Sequence, residues 1–201
     1  MQIIWHGHSC FTVKTKGGTV VFDPYADNYV PGLSPLRLRA DAVICSHDHR
    51  DHGAAELVTL TGAPYRAEIE RFPAWHDEVF GAKRGANTIT LIRDEGLRLA
   101  HLGDIGHIPE ERISSALKGV DVLILPVGGY YTIDAGQAKQ IVDMVQPRVV
   151  IPCHYRQGGV GYDVLAELPE FTELCDDVVR YPGSRIEVTA ETPPQVAVLT
   201  L

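Results

Sequence analysis

The chain has 201 residues, with 26 Asp plus Glu against 18 Lys plus Arg and a formal charge of −8. That length suits a single domain over residues 1–201, and 45% hydrophobic residues exclude a disordered chain. The acidic balance repels phosphate backbones, so no nucleic-acid partner is expected, although one anionic group beside metal cations remains compatible with it.

The first stretch predicts strands at Gln2–Trp5, Cys10–Thr15 and Thr19–Phe22, with a turn at Lys16-Gly17-Gly18. Asp23-Pro24 opens a loop that holds Pro31, Gly32 and Pro35 and runs to about Arg39. Loops of that length often form lids or substrate walls. Ala40–Cys45 reads as one buried strand, Ser46–His52 as a polar loop and Gly53–Leu60 as a short helix. Glu68–Trp75 is expected as a strand, and Thr88–Ile92 with Leu97–Leu102 as a hairpin around Asp94-Glu95-Gly96. Pro109 with Glu110 and Glu111 marks a helix start, and Val120–Val127 a buried strand. Asp134 caps a second helix, with Ala138, Ile141, Val142 and Val145 on one face until Pro147 stops it. Arg148–Pro152, Ile186–Thr189 and Val196–Leu199 are the closing strands. A meander followed by alternating strands and helices suggests two sheets face to face with helices outside.

Cys10, Cys45, Cys153 and Cys175 form no C-x-x-C pair and read as reduced thiols. The segment Met1–His8 turns polar too early for a signal peptide, and no apolar run is long enough for a membrane span. A cytoplasmic location is therefore expected. Oligomeric state is not readable from these residues.

The densest chemistry lies in His47-Asp48-His49-Arg50-Asp51-His52, directly after a buried strand. Imidazole and carboxylate together suit zinc, manganese or iron. His47, His49 and Asp51 alternate, so an extended loop projects them to one side, while His52 points differently. Such spacing fits two adjacent ions better than one. A polar surface loop is the bland alternative, and this concentration of donors argues against it.

This run resembles the H-x-H-x-D-H signature of the metallo-β-lactamase superfamily. The likeness extends along the chain through Trp5-His6-Gly7-His8-Ser9, Phe22-Asp23-Pro24, Leu102-Gly103-Asp104 and Ile151-Pro152-Cys153-His154-Tyr155. Leu125-Pro126-Val127-Gly128-Gly129 and Tyr131-Thr132 resemble the stand-alone hydrolases similar to ascorbate-6-phosphate lactonase. The resemblance implies an α+β fold, a four-layer αββα sandwich with the metals at one edge. It implies one ion on His47, His49 and a third histidine, a second on Asp51, His52 and His154, and Asp104 bridging them. His76 is favoured as the third histidine. Its rival His101 lies three residues before Asp104 in a strand and so faces away from it.

Two divalent ions, zinc first with manganese or iron as alternatives, would lower the pKa of a shared water to about 7. The hydroxide so formed would attack a small-molecule lactone, ester or phosphodiester, with Asp51 as the catalytic carboxylate orienting it or relaying its proton. His8, Asp23 and His107 are candidates for substrate contact or for supporting a ligand; their bland readings are a strand-end residue, a turn cap and a loop residue. Cys45 and Cys153 read as packed thiols. The resemblance also embraces nucleases and di-iron redox proteins. The charge and the absence of a basic run oppose the first, and His49, where redox members carry Glu, opposes the second. A metal-binding sensor or structural module without turnover is the remaining alternative.

Overall fold

In the computed structural model, which describes residues 1–201, the N-terminal meander is β1 (Gln2–Trp5), β2 (Phe11–Thr15) and β3 (Gly18–Phe22). Ile3 sits opposite Val13, and Val13 opposite Val20, so one face of the meander is aliphatic. Next come β4 (Leu38–Ala40), β5 (Ala42–Ile44), β6 (Val58–Leu60), β7 (Glu68–Trp75), β8 (Ala86–Asp94) and β9 (Leu97–His101). The second half alternates: α1 (Glu111–Leu117), β10 (Val122–Pro126), α2 (Ala135–Val145), β11 (Val149–Cys153) and the single-turn α3 (Pro169–Thr172). It closes with β12 (Val178–Arg180), β13 (Arg185–Glu187) and β14 (Gln195–Val198).

These strands form a five-stranded sheet in the order β13-β1-β2-β3-β5 and a seven-stranded sheet in the order β12-β14-β11-β10-β9-β8-β7. Inward residues of both sheets, among them Ile3, Val13, Phe22, Leu91, Leu99 and Leu123, share one core cluster of 42 buried residues. This is the α+β sandwich the resemblance implies. In the centre of the larger sheet, β9, β10 and β11 run parallel, joined by the crossovers that carry α1 and α2. β10 and β11 are buried along their whole length, which is why they read as unbroken apolar runs. α2 begins with a reciprocal cap: Asp134 Oδ1 accepts from Gln137 N at 2.8 Å, and Asp134 N donates to Gln137 Oε1 at 3.1 Å. Gln146, left-handed at φ 53°, and Pro147 end it.

The outer face of the smaller sheet is covered differently. Val21 points away from Val20 and Phe22 and packs with Tyr25, Val30, Leu36, Ala40 and Val58. The long loop 23–37 and the paired strands β4 and β6 therefore form that layer.

Two expectations need correction here. Ala40–Cys45 is not one strand: the chain leaves β4 at Asp41 and enters a different sheet as β5. The Asp41 carboxylate makes that corner, accepting from Thr19 N at 2.7 Å and from the Thr61 hydroxyl. Gly53–Leu60 is not a helix: a 3-10 turn at Ala55–Leu57, without a side-chain cap, gives way to β6. Parallel pairing of Val58–Leu60 with Leu38–Ala40 outweighs weak local helical preference.

The topology collects the chain's chemistry at one edge. Immediately after β1 comes His8, after β3 Asp23, after β5 the Ser46–His52 loop, after β7 His76, after β9 Asp104 and after β11 His154.

Candidate metal centre

Three overlapping donor groups converge there, each with all its donor atoms within 4.8 Å of one another: His47, His49 and His76; His47, His52 and Asp104; and His8, Asp51, His52 and His154. Asp104 is the hub. Its Oδ2 lies 3.1 Å from His52 Nε2, 3.1 Å from His154 Nε2 and 3.3 Å from His76 Nε2. Asp51 Oδ2 lies 3.3 Å from His8 Nε2 and 3.9 Å from His52 Nε2. All seven sequence-derived ligand candidates are thus in one cluster, with His8 added to it.

Each donor is aimed by its strand and by a neighbour. Asp23, fully buried, accepts from Ser46 N at 2.6 Å and from Ser46 Oγ at 2.7 Å, and lies 3.0 Å from His52 Nδ1. Ser46 Oγ in turn accepts from His47 Nδ1 at 2.9 Å. Both histidines are therefore fixed with Nδ1–H engaged and Nε2 turned to the centre. Asn87 on β8 holds the Asp104 loop, donating to Leu102 O at 2.9 Å and accepting from Asp104 N at 3.0 Å. Gly103, at φ 55°, passes so close to Ser46 and Asn87 that a Cβ would collide with both. Sequence reasoning missed Ser46 and Asn87. The position of Ser46 beside His47 was a usable signal, whereas nothing local marked Asn87.

His101 stands apart from all three groups. Its Nε2 donates to Ser9 O at 3.2 Å, its Nδ1 accepts from Gly103 N at 3.0 Å, and its ring stacks on Phe22 at 5.0 Å. Burial lowers its pKa, so it is a neutral, hydrogen-bonded core residue. His107 is also outside the cluster. Its Nε2 accepts from Trp75 N at 3.1 Å and its Nδ1 donates to Ile108 O at 2.9 Å, which ties two loops together. Burial pushes the Cys153 thiol well up and the Cys45 thiol to about 12, so both stay protonated and packed.

Burial, assisted by the neighbouring imidazoles, lowers His8 and His47 to about 4. Burial alone would also lower His52, but Asp104 and Asp23 on either side hold it well above its ordinary value. Asp104, though desolvated, is held well below the carboxylate range by His154 and His52. His47 Nε2, His52 Nε2, His76 Nδ1, Asp104 Oδ1 and both ring nitrogens of His154 are buried without a hydrogen-bond partner. Orphaned buried polar atoms are costly, and imidazoles and carboxylates arranged around one point are what a divalent cation satisfies. The donor set fits metal ions.

Above the cluster lies a cleft of about 580 Å³, lined by His49, Asp51, His76 and Asp104 and walled by Tyr29, Arg50, Arg84, Tyr131 and Tyr162. Tyr162 donates to Asp51 Oδ2 at 3.4 Å. The Arg84 guanidinium sits 5.6 Å from the Tyr131 ring centre and donates to Tyr130 O at 3.1 Å. Its loop is tied by Asp77, whose carboxylate accepts from the backbone N–H groups of Val79, Gly81, Lys83 and Arg84. Desolvation would raise Asp77, but these four donors bring it down to about 2.

Known proteins resemble this chain in sequence and fold. A family model described as a beta-lactamase superfamily domain matches residues 2–154. A UPF0173 metal-dependent hydrolase of Thermoplasma acidophilum is 28% identical over 214 residues, covering 90% of this chain and 93% of its own. Another, from Staphylothermus marinus, is 29% identical and covers 85% and 89%. A Thermotoga maritima protein of the metallo-β-lactamase superfamily, named as a Zn-dependent hydrolase, superposes with a TM-score of 0.76 at 30% identity over 98% of this chain and 97% of that one. A metallo hydrolase of Ignicoccus hospitalis shares the fold at a TM-score of 0.68 and 24% identity. With the strand-end donors, the sandwich and these matches in agreement, the chain belongs to the metallo-β-lactamase superfamily and is a metal-dependent hydrolase.

Proposed function

We propose that the chain hydrolyses a small-molecule lactone, ester or phosphodiester at a dinuclear centre. One ion would be held by His47, His49 and His76 and the other by Asp51, His52 and His154, with Asp104 available to both. The observation that carries this reading is the position of Asp104 Oδ2, within 3.3 Å of a histidine from each set, on the floor of the cleft. Two such cations supply an activated water at neutral pH and polarise the substrate oxygen. Zinc suits the histidine-rich first set, and manganese or iron is compatible with the carboxylates of the second.

The chain's own residues do the rest. Asp51, open to the cleft and held by Tyr162, is placed to accept a proton from the attacking water or to orient it. Arg50 and Arg84 give the mouth a positive rim in an otherwise acidic chain, and the three tyrosines supply a flat, partly apolar wall. The cleft suits a small molecule, and the net charge of −8 opposes nucleic acid. The four free thiols suit a reducing, cytoplasmic setting, and no helix is long and apolar enough to cross a membrane.

The test is a panel of neutral lactones, 4-nitrophenyl esters and bis(4-nitrophenyl) phosphate, offered to protein reconstituted with zinc, manganese or iron. Turnover of one class, abolished by chelation and by Asp51→Ala, is expected. Full metal occupancy without turnover of any class would move the sensor reading ahead of the hydrolytic one.

A further inference from the structure

We propose that His8 is a direct fourth protein ligand to the ion held by Asp51, His52 and His154, which makes the two ions unequal. This rests on the dinuclear reading above and goes beyond it. The His8 side chain is wholly buried, and its ring stands 4.1 Å from His154 and 5.2 Å from His52, centre to centre. Its Nε2 lies 3.3 Å from Asp51 Oδ2, while its Nδ1 is buried without a partner. Two donors bound to one ion at about 2.1 Å each are separated by roughly this distance when they are neighbouring ligands.

The backbone is set to deliver this ring. His8 is left-handed at φ 52°, a conformation that costs a non-glycine residue. It is clamped on both sides, with its carbonyl accepting from Trp5 Nε1 at 2.9 Å and from His154 N at 3.4 Å. His154 is left-handed too, at φ 53°. Two strained histidines, joined by the one bond from His154 N to His8 O, enter the same donor group from the ends of β1 and β11.

The consequence is asymmetry. With Asp104 shared, this ion has five protein donors, more than a tetrahedral zinc site takes, and favours a six-coordinate metal such as manganese or iron. The ion on His47, His49 and His76 has fewer donors and faces the cleft, which His49 and His76 line and which His8, His52 and His154 do not. Of the second ion's ligands only Asp51 and the shared Asp104 line the cleft, so substrate would meet that ion through fewer of its donors.

The test uses full-length protein loaded with cobalt(II) or manganese(II), read by metal count after graded dialysis, by visible absorption and by pulsed EPR of imidazole nitrogens. His8→Asn tolerates the left-handed backbone, and His8→Gly leaves room for added imidazole. In wild type we expect two ions, one of them six-coordinate. In both variants we expect that ion to lose one imidazole nitrogen and to bind at least ~100-fold more weakly, with free imidazole restoring it in His8→Gly. Two ions with an unchanged cobalt spectrum and nitrogen count in both folded variants would overturn the role of His8 while leaving the dinuclear centre standing. Fewer than two ions in wild type would overturn both.

Discussion

Asp23 shows how much a single carboxylate organises. From one buried position it holds the Ser46 amide and hydroxyl and the His52 ring, and through Ser46 it sets the His47 tautomer. Asp23→Asn keeps the volume but places an NH2 group against one of these donors. Metal affinity should fall by about 10- to 100-fold, measured by chelator competition, with the far-ultraviolet dichroism unchanged. At this scale the sequence was most informative where donors are neighbours in the chain. His47, His49, Asp51 and His52 share one loop, so their spacing alone exposed them. His76 was favoured by its place between the first motif and Asp104 and His101 disfavoured by strand periodicity, and the structure engages both His101 ring nitrogens with backbone, at Ser9 O and Gly103 N. Ser46 sits beside His47, but Asn87 and Tyr162 arrive from elements distant in sequence, and no local pattern points at their shared target.

At the scale of elements, the cleft wall depends on loops held by polar atoms. The loop 77–84, which carries Arg84, hangs on the Asp77 carboxylate. Its folded pKa of about 2 lies below the ordinary 3.8, so its contribution is complete above pH 3.8 and disappears as the pH falls through about 2. Asp77→Asn should lower the melting temperature at neutral pH and flatten the acid limb of stability in that window, as thermal melts at stepped pH would show. An acid limb identical to wild type would contradict the assignment. Gly128 marks a second tight point, where an added Cβ would strike the His154 carbonyl. Gly128→Ala should displace His154 and, since about 1 Å of misplacement can cost on the order of 100-fold, lower turnover by about that much. Elements with strong periodicity or caps, such as β10 and α2, were readable from sequence. The 53–60 segment was not, because its strand exists only through pairing with β4. α3 and β12 carry too few residues to show a period.

At the scale of the molecule, two sheets share a core of 42 buried residues, and a core of that size predicts a frame that folds without metal. Leu123, fully buried in the middle of β10, is a test of that frame: Leu123→Ala should cost about 2–5 kcal/mol in urea unfolding. Metal should add to stability by mass action, about 2.7 kcal/mol at a free concentration 100 times the dissociation constant, so chelated protein should melt lower yet still cooperatively. The sandwich was legible because alternating and continuous apolar runs fix which strands are half-buried and which are central. The layer over the smaller sheet was not, because a loop rather than a helix supplies it.

The central claim is that donors from the ends of β5, β7, β9 and β11 meet as one two-metal centre. Elemental analysis by mass spectrometry, on protein purified without added metal beside a His49→Ala, Asp104→Ala double variant, tests it most directly. The account predicts about two transition-metal ions per wild-type chain and their near-complete loss in the variant. A wild-type chain that holds no specific metal, even after reconstitution at neutral pH, would contradict it.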